Sequence, residues 1–117
     1  MLPLLKTKIP GPRSRRLASL LKRHEAPTVT YVSESGPIFW RQAKGVNVWD
    51  VDGNRFLDLT SAFGVASLGH APPRVMSAIR RQSAKLAHGM GDVHPSELKG
   101  PLCARLSQIT FERWTNG

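Results

Sequence analysis

Apolar residues recur with a helical period near the start of the chain. The stripe at positions i, i+3, i+4 and i+7 consists of Leu17, Leu20, Leu21 and His24. Pro12 is tolerated in the first turn of a helix, and Pro27 stops one. The pattern therefore predicts a helix over residues 12–25, preceded by an extended arm over residues 1–12.

β-Branched and aromatic residues dominate the following stretch, and turn-forming residues divide it. The predicted strands are Thr28–Val32, Ile38–Lys44, Val46–Val51 and Arg55–Leu59. Asp52 and Gly53 lie between the last two strands. An Asp-Gly pair at such a place predicts a type I′ turn, in which both central residues have positive φ. We therefore expect a small antiparallel β-meander.

Small residues fill segment 60–70, which permits close backbone approach to a ligand or another subunit, although a plain connecting loop is also possible. Pro72 and Pro73 open a second predicted helix, which ends near Ala87. One face of this helix carries Val75, Ile79, Gln82 and Leu86.

A third helix is predicted from Ser96, a candidate cap, to about Arg113. Gly100 and Pro101 interrupt its pattern, so we expect a kink or a late start there. The order of elements predicts an α+β fold: an N-terminal helix, a small antiparallel β-meander, and then helices.

Charge is distributed unevenly along the chain. The formal net charge of +9 comes from 17 Lys and Arg against 8 Asp and Glu, and seven of these cations precede the first acid, Glu25. The excess therefore belongs to a basic leader. The leader could be the solvated face of a helix, an organelle transit peptide, or an arm that neutralises nucleic-acid phosphates. We favour the first, because no aromatic residue among these charges offers a stacking platform for nucleic acid.

Composition excludes several classes of protein. No apolar run approaches the ~18 residues of a membrane span, and the apolar opening is too short for a signal peptide. The single cysteine, Cys103, excludes an internal disulfide and fits a reducing cytoplasm. Cys103 lies on an apolar helix face, so we expect a buried, inert thiol.

Two apparent metal motifs fail on spacing. A calcium loop starting at Asp50 would need glycine at its sixth position and a carboxylate at its twelfth, where this chain has Arg55 and Ser61. The three histidines that could form a zinc site are too irregularly spaced and lack companion ligands. These histidines are His70, His88 and His94. We therefore predict no metal site.

One composite pattern is specific. It begins with the run GVNVWDVDGNRFLDL over residues 45–59, continues with GHAPP over residues 69–73, and ends with AIRRQ over residues 78–82. Over about residues 36–110, the chain closely resembles the N-terminal part of class III aminotransferases. This family contains 4-aminobutyrate and acetylornithine aminotransferases.

The resemblance implies the α/β fold of type I pyridoxal-phosphate enzymes, which combines a large cofactor-binding domain with a small domain built from both chain ends. Residues 13–117 would form the N-terminal part of the small domain and the first linking helices, and the chain would stop before the large domain. The family works as a homodimer with active sites at the subunit interface. A cytoplasmic homodimer is therefore expected for the complete enzyme.

The implied reaction moves an amino group from an amino acid or ω-amine to an oxo-acid through pyridoxal phosphate. It needs a lysine that binds the cofactor, an acid opposite the pyridine nitrogen and a loop that holds the phosphate. The resemblance places all three after Gly117. We therefore assign no catalytic or cofactor-binding residue, and we expect the isolated chain to be inactive.

One substrate-binding residue is implied by the resemblance. Phe63 matches an apolar position that faces the substrate side chain in the family, although simple packing would also explain it. The family usually has glycine followed by an aliphatic residue where this chain has Ala62 and Phe63. Ser61 and Val65 are weaker candidates.

Two further residues match motif positions of the family. We interpret Asp58 as a polar anchor and His70 as a turn residue, so both are expected to be structural.

Other functions remain open at this stage. Some relatives of the family are aminomutases, decarboxylases or racemases that use the same cofactor. A small basic nucleic-acid-binding protein, or a vestigial protein without catalysis, is the alternative from another class.

Overall fold

The computed structural model describes residues 1–33 and 36–110. The elements in chain order are α1 Pro12–His24, β1 Trp40–Lys44, β2 Asn47–Asp50, β3 Arg55–Leu57, α2 Pro73–Ser83 and α3 Lys99–Ile109. This order confirms the predicted α+β arrangement. The chain divides into two compact units, Met1–Met76 and Ser77–Gly117. No helix in the described residues is long and apolar enough to cross a membrane.

The three strands form the expected antiparallel meander, in the order β1-β2-β3. Val48 in the central strand pairs with Ala43 on one side and Phe56 on the other. Its side chain is only 1% exposed, and Ala18 of α1 and Pro10 before it are buried as well. The apolar core of the first unit is therefore small.

The turn between β2 and β3 differs from the predicted type I′ turn. Its connection has four residues, and only Gly53, at φ +86°, adopts positive φ. The Asp50 carboxylate accepts hydrogen bonds from the N–H groups of Asp52 and Asn54, at 3.0 and 2.8 Å. These bonds close a wider loop, so a two-residue turn is not needed.

The predicted strand over Thr28–Val32 is wrong. This segment begins in a turn, in which the Val29 N–H donates to the Ala26 carbonyl at 3.1 Å. β-Branched residues form a strand only where a partner strand is available. No element pairs with these residues in the described structure.

α1 is anchored through its N-terminus rather than through its leucine stripe alone. The Asp52 carboxylate accepts hydrogen bonds from the N–H groups of Arg13 and Ser14, at 2.8 and 2.9 Å, and from the Ser14 hydroxyl, at 2.7 Å. A carboxylate at this end of a helix also interacts favourably with the helix dipole. A Cβ atom on Gly11 would lie 2.3 Å from the Asp52 Cγ, so only glycine fits there.

The first residues lie along the outer edge of the meander. Leu4 and Arg55 exchange backbone hydrogen bonds of 2.9 and 2.8 Å. The Asn54 side-chain oxygen accepts from the N–H groups of Lys6 and Thr7, at 2.7 and 2.9 Å. The beginning of the chain is thus tied to the same turn that anchors α1.

In α2, the helix ends at Ser83 rather than near Ala87. Lys85 and Leu86 donate to the Gln82 carbonyl in a turn instead of extending the helix.

α3 starts late, as expected for Gly100-Pro101. It begins at Lys99, which places Pro101 in the first turn, where its missing N–H is not needed. Leu98 occupies the cap position. The Ser96 hydroxyl accepts a hydrogen bond from the Leu98 N–H, at 3.3 Å, rather than from the first turn of the helix, so the predicted Ser96 cap is wrong. The helix ends at Ile109, and the predicted end near Arg113 lies outside the described residues.

Replacing Asp52 by Ala removes the acceptor that caps α1. We expect the free energy of unfolding to fall by about 1 kcal/mol, a typical cost of losing a helix cap, with solvent screening limiting the loss. Denaturant unfolding followed by circular dichroism measures it. Asp92→Ala, which removes an exposed carboxylate elsewhere, should cost less than about 0.5 kcal/mol. Equal losses in both variants would contradict this role of Asp52.

The Asp52 contribution also depends on pH. Burial raises the pKa of Asp52, but the Ser14 hydroxyl and the N–H groups of Arg13 and Ser14 outweigh burial and hold this pKa below its usual value. The stabilisation should therefore be present at neutral pH and disappear as the pH falls through the lowered pKa. The free energies of unfolding of the wild type and of Asp52→Ala, measured as the pH is lowered, should become equal at low pH.

Candidate functional site

Asp58 organises the segment that follows β3. Its Oδ1 accepts hydrogen bonds from the Thr60 N–H and hydroxyl, at 3.0 and 2.8 Å. Its Oδ2 accepts from the Ala62 N–H at 2.8 Å and lies 2.7 Å from the His70 Nε2. One carboxylate therefore holds both ends of residues 58–70, which we call the Asp58 loop.

Within the Asp58 loop, three successive residues other than glycine adopt left-handed backbone conformations. Ser61, Ala62 and Phe63 have φ values of 51°, 49° and 57°. This conformation costs roughly 1–2 kcal/mol per residue. The Ala62 N–H bond to Asp58 and the Ala66 N–H bond to the Ser61 carbonyl, at 2.8 Å, help to offset that cost.

His70 fixes the far end of the loop to the meander. Its backbone exchanges hydrogen bonds of 2.7 and 2.9 Å with Gly45. Its ring meets the Trp40 ring edge to face, with centroids 5.7 Å apart. A Cβ atom on Gly69 would lie 3.3 Å from the Gly45 Cα, and Gly69 has φ +82°, so glycine suits this position on both counts.

The environment of Asp58 favours its ionised form. The hydrogen bond from His70, followed by that from the Thr60 hydroxyl, lowers the pKa of Asp58 to about 2, although burial opposes the shift. The Asp58 and His70 side chains are only 4% and 14% exposed. At neutral pH, Asp58 is therefore a fixed carboxylate rather than a proton donor. This geometry agrees with its interpretation as a polar anchor, and with that of His70 as a turn residue.

The loop presents apolar side chains to its surroundings. Phe63 is 98% exposed and Val65 is 89% exposed, so neither packs against the described residues. Ser61 is partly covered. Packing against the described residues therefore does not explain Phe63, and its contact with a substrate stays a prediction.

The other sequence candidates serve different purposes. Asp50 is fully buried and holds the Asn54 N–H and side-chain amide, so its oxygens close the turn. His88 and His94 are exposed, and the described residues contain no group of three or more ligands able to hold a metal. Cys103 is exposed rather than buried, because no residue of α3 is buried in the described structure.

Sequence reasoning missed the residues that support the site. Asp52 and Asn54 were treated as turn residues, yet their side chains anchor α1 and the N-terminal arm. Asp and Asn commonly bond nearby backbone in turns. The dense DVDGN run carried that signal, but the partners Arg13 and Lys6 lie 39 and 48 positions away in sequence and were not predictable.

Replacing Asp58 by Asn should loosen the Asp58 loop, because a neutral amide cannot accept all four hydrogen bonds. We expect hydrogen exchange at the Ala62 amide to accelerate by about tenfold or more, as measured by NMR. Asp92→Asn, an exposed change of the same kind, should leave that rate unaltered. In the wild type, the loop should stay closed above pH 3.8 and open only as the pH falls through about 2. Opening near neutral pH would contradict the proposed anchor.

The chain matches known proteins over the meander and the Asp58 loop. It is 39% identical over 106 residues to the 4-aminobutyrate aminotransferase of Mycobacterium tuberculosis strain H37Rv, covering 91% of this chain and 23% of that protein. It is 43% identical over 70 residues to the glutamate-1-semialdehyde 2,1-aminomutase of Chloroflexus aggregans, covering 60% of this chain and 15% of that protein.

Solved structures give the same result. The acetylornithine aminotransferase of Elizabethkingia anophelis superposes with a TM-score of 0.69 at 27% identity, covering 82% of this chain and 24% of that one. The chain thus spans between 15% and 24% of the length of these relatives. The family model described as aminotransferase class-III matches residues 30–115. The resemblance is therefore confirmed, and the chain belongs to the class-III aminotransferase family.

Proposed function

We propose that this chain is the N-terminal part of an enzyme that transfers an amino group from an amino acid or ω-amine to an oxo-acid, using pyridoxal phosphate. The observation that carries the proposal is the family match over residues 30–115, which includes the meander and the complete Asp58 loop. Relatives named 4-aminobutyrate and 5-aminovalerate aminotransferase support an ω-amino acid as donor.

In this proposal, residues 13–117 form the N-terminal part of the small domain and the first linking helices, and residues 1–12 form an arm on that domain. The complete enzyme works as a homodimer. The exposure of large apolar residues on α2 and α3 supports further covering protein. Examples are Ile79 and Leu102, which are 52% and 58% exposed.

The described residues do not themselves fit pyridoxal phosphate. A phosphate is usually held by free N–H groups at a helix N-terminus. At α1 two such groups already bind Asp52, and the first turns of α2 and α3 contain Pro73 and Pro101, which have no N–H. When bound, the cofactor supplies an electron sink for the amino-bearing carbon. Its binding residues therefore belong to other parts of the proposed enzyme.

The contribution of this chain to the substrate pocket would be Phe63. The Asp58 loop holds this residue in a left-handed conformation and leaves its ring 98% exposed. A large apolar side chain on a fixed backbone suits contact with the apolar part of an amino donor. Ser61 and Val65 are its weaker neighbours in this role.

We also propose a cytoplasmic location. The basic leader is bonded to the meander through Asp52 and Asn54, and Ser14 within it is fully buried. Cleavage of this segment as a transit peptide would remove the N–H groups that donate to the Asp52 and Asn54 side chains. These contacts favour a helix that is part of the folded unit and has a solvated basic face. They disfavour a cleaved targeting sequence and a nucleic-acid-binding arm.

A second candidate reaction has specific support. The 43% identity to an aminomutase is the higher of the two identities given above, although it covers a shorter stretch. An aminomutase moves the amino group within one molecule and needs no separate oxo-acid. Omission of the oxo-acid from the assay separates the two reactions.

The proposed function predicts that the purified 117-residue chain neither binds pyridoxal phosphate nor turns over 4-aminobutyrate with 2-oxoglutarate. A product extended with the downstream coding sequence should do both. Cofactor absorbance and glutamate formation measure the two properties. Turnover by the 117-residue chain would contradict the proposal. So would an extended product that folds and binds the cofactor but transfers no amino group from any of a panel of amino donors.

In that extended product, Phe63→Leu should alter the choice of donor. We expect the ratio of kcat/KM for an aromatic amine to that for 4-aminobutyrate to fall by about tenfold, because a hydrophobic pocket discriminates on this scale. Leu68→Ala, at an 81% exposed position on the same loop, is the control. An equal change in both variants would contradict a specific contact at Phe63.

A further inference from the structure

A groove with a distinct chemistry lies between α1 and the meander, within the first unit. Its volume is about 570 Å³. Its lining combines three arginines with three apolar residues: Arg13, Arg16, Leu17, Leu20, Arg41 and Val51. We call it the arginine groove. It is separate from the Asp58 loop, and the proposed function makes no use of it.

The positive charge of this groove is largely uncompensated. The Arg16 and Arg41 side chains are exposed and form no hydrogen bond or ion pair with the described residues. The Arg13 guanidinium donates to the Val51 carbonyl, at 3.1 Å, and its charge interacts with the nearby Asp52 carboxylate, so the uncompensated charge is that of Arg16 and Arg41. Among the described residues, no acid lines the groove, and the nearby Asp52 carboxylate already binds the N-terminus of α1. The groove therefore offers guanidinium groups to an anionic partner.

The floor of the groove is apolar, which narrows the choice of partner. Leu17 and Val51 are half-buried, and Leu20 remains 39% exposed. From Arg13 to Leu20 the groove follows about two turns of α1, or roughly 10 Å. This length suits two turns of a helix or about three extended residues. A fitting partner therefore carries carboxylates and apolar side chains within a short segment.

We propose that the arginine groove binds an acidic peptide segment of a partner protein, with carboxylates on the arginines and leucine-like side chains on the floor. Arginine pairs with carboxylates in bidentate geometry, and short amphipathic segments commonly dock their apolar face into such grooves. Nucleic acid is disfavoured, because the described lining of the groove has no aromatic side chain on which bases could stack.

The test measures binding of the 117-residue chain to a fluorescein-labelled helical peptide. In this peptide Leu residues at i, i+3 and i+4 spacing form one face, and Glu residues flank that face. Fluorescence anisotropy should show saturable binding that weakens as salt rises. The double variant Arg16→Gln and Arg41→Gln should weaken binding by about tenfold or more. Leu20→Gln should weaken binding as well, while leaving the salt dependence unchanged. Circular dichroism verifies that each variant retains the wild-type helix content.

Matched controls separate groove binding from general attraction to a basic protein. Arg23→Gln with Arg74→Gln removes the same charge from two exposed arginines outside the groove and should leave binding unchanged. A peptide with Ser in place of Leu should bind about tenfold more weakly. Equal losses in the two double variants, or equal binding of the two peptides, would overturn the proposal.

Two further probes address the other classes of partner. Duplex DNA and phosphatidylserine vesicles should not bind in a manner sensitive to Arg16 and Arg41. Suppose that DNA or the vesicles bind, that the Arg16→Gln and Arg41→Gln variant loses this binding, and that the peptide does not bind. This result would overturn the proposal in favour of that partner. Absence of peptide binding by the folded wild-type chain would also overturn it.

Discussion

The carboxylates and amide of the turn between β2 and β3 are the contacts on which the first unit depends. Asp50 closes the turn, Asp52 caps α1, and Asn54 receives the N-terminal arm. Few apolar residues are buried in the described part of this unit, Ala18 and Val48 among them, so hydrophobic burial alone holds it weakly. Satisfied buried polar groups therefore fix the relative placement of helix, arm and sheet, because leaving any of them unpaired would be costly.

The same device recurs one strand later and links the fold to the proposed function. Asp58 uses one carboxylate to hold a loop whose backbone would otherwise avoid three consecutive left-handed residues. A helix or strand could not hold Phe63 in a left-handed conformation, because the hydrogen bonds of regular secondary structure fix other backbone angles. Backbone strain that is offset by hydrogen bonds to an ionised carboxylate is a common feature of segments that position a group for binding.

The sequence predicted elements better than it predicted connections. The meander and the start of α1 followed from periodicity and proline placement, which are local signals. The segment Thr28–Val32 had strand propensity but no partner, and the wider β2–β3 turn depended on side chains serving distant backbone. Cys103 was misjudged for a related reason, since an apolar helix face is buried only where another element covers it. The Asp58 anchor was recognised because its motif resembled a known family.

The central claim is that this chain supplies one part of a class-III aminotransferase, and it is tested most directly by reading the coding sequence past codon 117. Because the chain spans only 23% of the length of a relative it matches, the account predicts that the reading frame continues. It should then encode a Gly/Ser-rich phosphate loop, followed by an acid and a lysine that serve pyridoxal phosphate. A confirmed stop codon after Gly117, with no such region encoded, would contradict the claim.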